Sequence, residues 1–147
     1  MDDRTTQKRS ATMAAVKSQN TRLEREFLDE ISRDIRRRLS LHASDIPGKP
    51  DFVHRRSKVA IFIDSCFWHG CHLHLRMPTA NRSYWSAKIS RNRHRDSRVN
   101  RELRNSGWLV MRIWEHSLTN PRARKWWHTR IVNQIKNRFR GTAAERP

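Results

Sequence analysis

The chain has 147 residues, a length suited to one compact domain. Its 32 Lys+Arg against 14 Asp+Glu leave a formal net charge of +18, far beyond what solubility requires, so a polyanionic partner is expected and nucleic acid is the default polyanion; a cationic protein of solvated charge runs is the alternative. No apolar run reaches membrane-spanning length and no signal peptide is present, so a soluble, cytoplasmic protein with no membrane partner is expected.

Residues 1–19 read as a flexible basic arm, with Met13, Ala14, Ala15 and Val16 as a short apolar patch. "NTRLEREFLDEI" then predicts a helix. Asn20 or Thr21 can cap it, Glu24 stands at capping-box spacing from Thr21, and Leu23, Phe27, Leu28 and Ile31 form its apolar face. "RDIRRRLSLHASD" is basic and irregular and suggests no element, and "IPGKPD" is a turn or loop. "DFVHR" and "KVAIFID" are two strands joined by "RRS", hence a hairpin whose nearly all-apolar second strand belongs in the sheet interior. From Asn81 to Asn105 a polar helix carries Tyr84, Trp85, Lys88, Ile89, Asn92, Asp96, Val99 and Leu103 at three- and four-residue spacing, and Gly107 stops it. "WLVMRIW" is a third strand and "EHSLTNP" a loop. Pro121 to about Phe139 is a last basic helix, with Trp126 and Trp127 read as core contacts. Residues 141–147 are set aside as a tail, which leaves residues 20–140 as one mixed α/β domain.

The chemistry gathers in "DSCFWHGCHLH", Asp64 to His74, which holds both cysteines of the chain and three of its eight histidines. Cysteines five apart make a poor disulfide framework but good thiolate ligands in a reducing compartment. A structural Zn²⁺ wants four Cys/His ligands. Cys66, Cys71 and one of His69, His72 or His74 are local, and His116 in "WEH" supplies a distant fourth. The set chosen is Cys66, Cys71, His74 and His116; free thiols among solvated histidines are the competing reading. Upstream, Asp51 opens the hairpin and Asp64 ends it. Carboxylates at matching ends of adjacent strands can converge on Mg²⁺, with the Ile63 backbone carbonyl as a third ligand. That is the layout of a phosphodiester-cleaving site. Many nucleases of this layout carry a lysine two positions after the second acid; Cys66 stands there, so His69 is the candidate to assist the attacking water. Phe67 and Trp68, taken alone, read as core packing.

"PGKPDFV", "VAIFIDSCFWHGCHLH", "MPTANRSYWSAKISRNRHRD" and "LRNSGWLVMRIWEH" together resemble the very short patch repair endonucleases, over roughly Lys8 to His116. The resemblance implies a restriction-endonuclease-like mixed sheet flanked by helices, with a structural zinc. It implies a bacterial DNA repair enzyme that nicks 5′ to the T of a T:G mismatch left by deaminated 5-methylcytosine. Double-stranded DNA carrying that mismatch would be the partner, other repair proteins further partners, and the enzyme a monomer. Asp51 would be the principal Mg²⁺ ligand, helped by the Ile63 carbonyl, and His69 would activate water. Glu24 would act through metal-bound water and support His69. Cys66, Cys71, His74 and His116 would hold zinc. Phe67 and Trp68 would wedge into the duplex beside the mismatch, and Met13 would enter from the other groove. Asp64 lies where some members carry histidine. Two departures stand out: the "SRDIRRRLSLHAS" stretch is more basic than the family pattern, and Ser65 stands where glycine is usual. The rival readings are a non-catalytic zinc-containing DNA-binding module and a restriction-type endonuclease with another target.

Overall fold

A strand buried along its whole length has to be covered on both faces, and β3 (Val59–Asp64) is such a strand. The computed structural model describes residues 10–11 and 22–144 of the chain. Helix α1 (22–30) leads into the short α2 (Arg33–Arg37), then β1 (Ser40–Leu41), β2 (Phe52–His54) and β3. Helix α3 (Arg82–Asn105), β4 (Leu109–Trp114), α4 (Glu115–Thr119) and α5 (Pro121–Ala144) follow. The sheet order is β1-β2-β3-β4. The first two pairings are antiparallel and β3 with β4 is parallel, so α3 is the crossover of a β-α-β unit.

Side chains alternate across β3 and divide the core in two. Val59, Ile61 and Ile63 face Leu23, Phe27 and Leu28 of α1 and Ile131 and Ile135 of α5. Ala60 and Phe62 face Val99 and Leu103 of α3. Phe27 is fully buried; it stacks on Phe52 with centroids 5.7 Å apart and meets the His128 ring at 4.5 Å. His128 Nε2 donates to the Phe27 carbonyl at 3.0 Å, tying α5 to α1. Gly107, with φ +81°, ends α3 as expected: its N–H reaches the Arg104 carbonyl at 3.0 Å, and Trp108 N–H the Leu103 carbonyl at 3.0 Å.

Four local expectations change. The "RDIRRRLSLHASD" stretch supplies α2 and β1, which pairs Ser40 with Val53. "EHSLTNP" is not a loop: α4 forms there and buries Leu118. Helix α5 runs to Ala144, into the stretch read as a tail. Trp127 packs against the core, but Trp126 is 54% exposed. Among the described residues no helix is long and apolar enough to cross a membrane.

Candidate active site

The antiparallel β2–β3 pairing brings the start of β2 beside the end of β3. Asp51 therefore sits against Ile63, whose N–H donates to Asp51 Oδ2 at 2.7 Å. Helix α1 places Glu24 on the same spot, one turn before Phe27 anchors that helix in the core. Burial, then the charge of Asp51, pushes the Glu24 carboxyl up to about 7, and the two side chains share a hydrogen bond. Burial also raises the Asp51 carboxyl above its ordinary value, although the Ile63 N–H opposes this. His42 brings Nε2 to 3.7 Å from Glu24 Oε2. Donor atoms of Glu24, His42 and Asp51 lie within 4.8 Å of one another. Two buried carboxyls this close, both with raised proton affinity, favour a proton or a cation between them, so this pair fits a hard divalent ion.

Asp51 and Glu24 open onto a cavity of about 490 Å³, which Asp64, His69, Asp96 and Arg112 also line. His69 Nδ1 lies 2.5 Å from Asp96 Oδ2. Burial pulls the Asp96 carboxyl upward, but its hydrogen bond to His69 and the charges of His69 and Arg112 hold it below the usual range. Asp96 is therefore a carboxylate that accepts from His69 Nδ1–H, which leaves Nε2 as the ring nitrogen not engaged by Asp96. Arg112 grips both Asp64 oxygens, at 2.8 and 3.0 Å, and reaches Asp96 Oδ1 at 3.4 Å. Asp64 Oδ1 stands 3.8 Å from His69 Nδ1. The carboxylate that stands with Asp51 is thus Glu24, whereas Asp64, the partner expected from the hairpin, is turned to Arg112.

The loop after β3 brings Cys66, Cys71 and His74 to His116 on α4, with one donor atom from each within 4.8 Å of the rest. His116 Nδ1 is 3.2 Å from Cys66 Sγ and 3.8 Å from Cys71 Sγ, and His74 Nδ1 is 3.8 Å from Cys71 Sγ. Ligands of a tetrahedral ion bound by sulfur and nitrogen stand roughly 3.3–3.8 Å apart, so the donor set fits such an ion. Burial pushes the Cys66 thiol up to about 12, so a thiolate here requires a positive charge at the centre of the cluster. Burial lowers the His116 pKa, which keeps its imidazole neutral and able to ligate. Glu115 Oε1 accepts the Cys66 N–H at 2.7 Å and holds the loop to α4. Ser65 is buried and is not among the described residues with positive φ, so serine at this position needs no left-handed backbone.

Phe67 and Trp68 are half-buried, edge-on to each other at 5.0 Å. They rest on Trp85 of α3 at 5.4 and 5.9 Å, and Lys88 Nζ stands 5.3 Å over the Trp68 ring. Asn92 Nδ2 donates to the Trp68 carbonyl at 3.0 Å. Met13 lies outside the described residues. Sequence reading missed His42, Asp96, Arg112 and Glu115; only Glu115 carried a signal, as the neighbour of His116 in "WEH".

A family model described as "DNA mismatch endonuclease Vsr" matches residues 1–75, which include Glu24, Asp51, Asp64, Cys66, His69, Cys71 and His74. The chain belongs to the Vsr family of DNA mismatch endonucleases. It is similar to the type II nicking enzyme V.NaeI of Lentzea aerocolonigenes, 45% identical over 112 residues, 74% of this chain and 68% of that one. The type II nicking enzyme V.XorIIP of Xanthomonas oryzae is 37% identical over 116 residues, 78% and 84% of the two chains. The DNA mismatch endonuclease Vsr of Escherichia coli is 33% identical over 113 residues, 75% and 70% of the two chains. As a Vsr-family member the protein is a DNA endonuclease, a hydrolase of phosphodiester bonds.

Proposed function

We propose that this endonuclease nicks one strand of duplex DNA 5′ to the T of a T:G mismatch, with Mg²⁺ at Asp51 and Zn²⁺ held by Cys66, Cys71, His74 and His116. The observation that carries the reading is the convergence of the Glu24–Asp51 pair and the His69–Asp96 pair on one cavity. A bound Mg²⁺ supplies charge stabilisation at the scissile phosphate. Asp51 is its principal side-chain ligand, the Ile63 carbonyl a second protein ligand, and Glu24 holds the water shell. Asp96 fixes the ring so that His69 Nε2 accepts the proton of the attacking water, as the phosphorus–oxygen bond to the leaving sugar oxygen breaks. Arg112 fixes Asp64 and Asp96 together, which makes Asp64 a positioning residue for His69.

The mismatch reading rests on the aromatic pair beside this cavity. Phe67 and Trp68 sit in a loop held by the Cys/His cluster and by Asn92, so they meet the duplex already ordered. An ordered apolar wedge favours a base step that unstacks cheaply, which a mismatch provides. Met13 is assigned to the opposite groove by resemblance alone.

The test is a nicking assay on end-labelled duplexes that differ only in one pair, T:G against T:A and C:G. A single cut 5′ to the mismatched T is expected with Mg²⁺, lost in chelator and in Asp51→Ala, while Asp51→Ala still binds DNA. Trp68→Ala should lower the T:G preference more than total binding. Equal cutting of all three duplexes would discard the mismatch assignment, and full activity of Asp51→Ala would discard the site.

A further inference from the structure

His42 stands against Glu24 and Asp51 beside the cavity, and neither the sequence motifs nor the resemblance has a use for it. It follows β1, and its backbone adopts φ +46°, in the left-handed region that histidine tolerates better than most residues. Its N–H is held by the Asp51 carbonyl at 3.0 Å, so the residue is tied to the backbone of the proposed metal ligand itself. The ring comes to 3.7 Å from Glu24 Oε2, and its donor atom belongs to one group with those of Glu24 and Asp51. Adjacent ligands of an octahedral divalent ion stand about 3 Å apart and opposite ligands about 4.2 Å apart. Small side-chain movements bring the three donors into that range.

Resting on the reading of Asp51 as the metal ligand, we propose that His42 is a nitrogen ligand of the catalytic cation beside Asp51, with Glu24 on the water shell, a mixed oxygen–nitrogen site that prefers Mn²⁺ to Mg²⁺. Mg²⁺ selects oxygen donors and keeps its water, whereas first-row transition ions gain from an imidazole. A site of Asp51 with oxygen donors alone has no such bias. Beside it, His42 converts a magnesium site into one that also selects by ligand type.

The experiment is a calorimetric titration of the full chain, its Cys/His cluster already loaded with Zn²⁺, by Mn²⁺ and by Mg²⁺ separately. His42→Asn removes the imidazole and keeps a residue that tolerates left-handed backbone. Mn²⁺ affinity is expected to fall by about tenfold or more in His42→Asn, with Mg²⁺ affinity changed by less than about twofold. Equal loss for both ions would reduce His42 to a general positioning residue, and unchanged Mn²⁺ affinity would remove it from the site; either overturns the proposal. Asp51→Ala serves as the separate control. If it also leaves both affinities unchanged, the failure belongs to the assignment of the catalytic metal site and not to His42 alone; Glu24→Gln, titrated alongside, guards against a folding defect in one variant.

Discussion

Glu24 shows how one carboxyl links the site to folding. Its pKa stands at about 7 against an ordinary 4.5, because burial and the neighbouring Asp51 charge both disfavour ionisation. The folded chain therefore holds this proton more tightly than the unfolded chain does. The resulting stability is fully present below the ordinary value and is lost as pH rises towards the folded value. Glu24→Gln has no proton to lose. With no added divalent cation, Glu24→Gln should melt higher than the parent at about pH 8, and the difference should vanish by about pH 4. Added Mn²⁺ or Mg²⁺ should raise the parent's Tm at the higher pH and move the variant's less, since bound cation stabilises by mass action. Parallel melting curves across the whole pH range would show that Glu24 is not strained by Asp51. Asp51, His69 and the Cys/His cluster were legible as candidates because the two cysteines are the chain's only ones, Asp51 opens the hairpin, and the histidines crowd the loop just after β3. Asp96 and Arg112 were not. Asp96 is an acid inside a very basic helix, and Arg112 is one of 32 Lys+Arg, so neither stands out until the parallel β3–β4 pairing sets Arg112 beside Phe62.

At the scale of elements, the loop between β3 and α3 has little regular structure of its own and depends on what clamps it. Its own backbone ties include Cys71 N–H to the Cys66 carbonyl at 2.9 Å and Leu75 N–H to the Cys71 carbonyl at 2.9 Å; Asn92 and Arg93 hold it to α3, and Glu115 holds Cys66 N–H at 2.7 Å. The Cys/His cluster, holding the proposed Zn²⁺, would cross-link this loop to α4. Cys71→Ser should lower zinc affinity by about tenfold or more. Its Tm should fall by roughly 2–8 °C for each kcal/mol lost. Metal analysis after dialysis and a thermal melt check both, and unchanged zinc content would break the assignment of Cys71. The long elements around the loop were readable because periodicity accumulates over many residues: α3 ends at Asn105 and β3 at Asp64, where the pattern places them. The short ones were not. Helix α2 buries only Ile35, β1 has two residues, and α4 has five, each too brief for a hydrophobic period to declare itself. Tertiary pairing forms them, with β1 held by β2 and α4 by the core around Leu118.

On the whole molecule, the cavity sets the carboxyls of Glu24, Asp51, Asp64 and Asp96 beside Lys49, Arg95 and Arg112 in a chain that carries +18, so the cations around it supply the attraction for phosphate. Two helices are rich in them. Helix α3 carries Arg82, Lys88, Arg91, Arg93, Arg95, Arg98, Arg101 and Arg104 against Asp96 and Glu102, and α5 carries seven Lys+Arg and no acid. They cover opposite faces of the sheet, and Arg95 of α3 lines the cavity while no residue of α5 does. Arg91 and Arg98 stand four residues before and three after Arg95, on the same stripe of the helix. Duplex seated over the cavity therefore meets α3 and not α5. Replacing Arg91 and Arg98 by glutamine should reduce the slope of log K against log salt by about 2, since each phosphate contact contributes about 0.9. The same change at Lys125 and Lys136 of α5 should leave the slope within about 0.5 of the parent. Fluorescence anisotropy of a labelled T:G duplex across a salt series measures both, and an equal loss from the two pairs would mean that DNA binding is a property of net charge rather than of the face that carries the site.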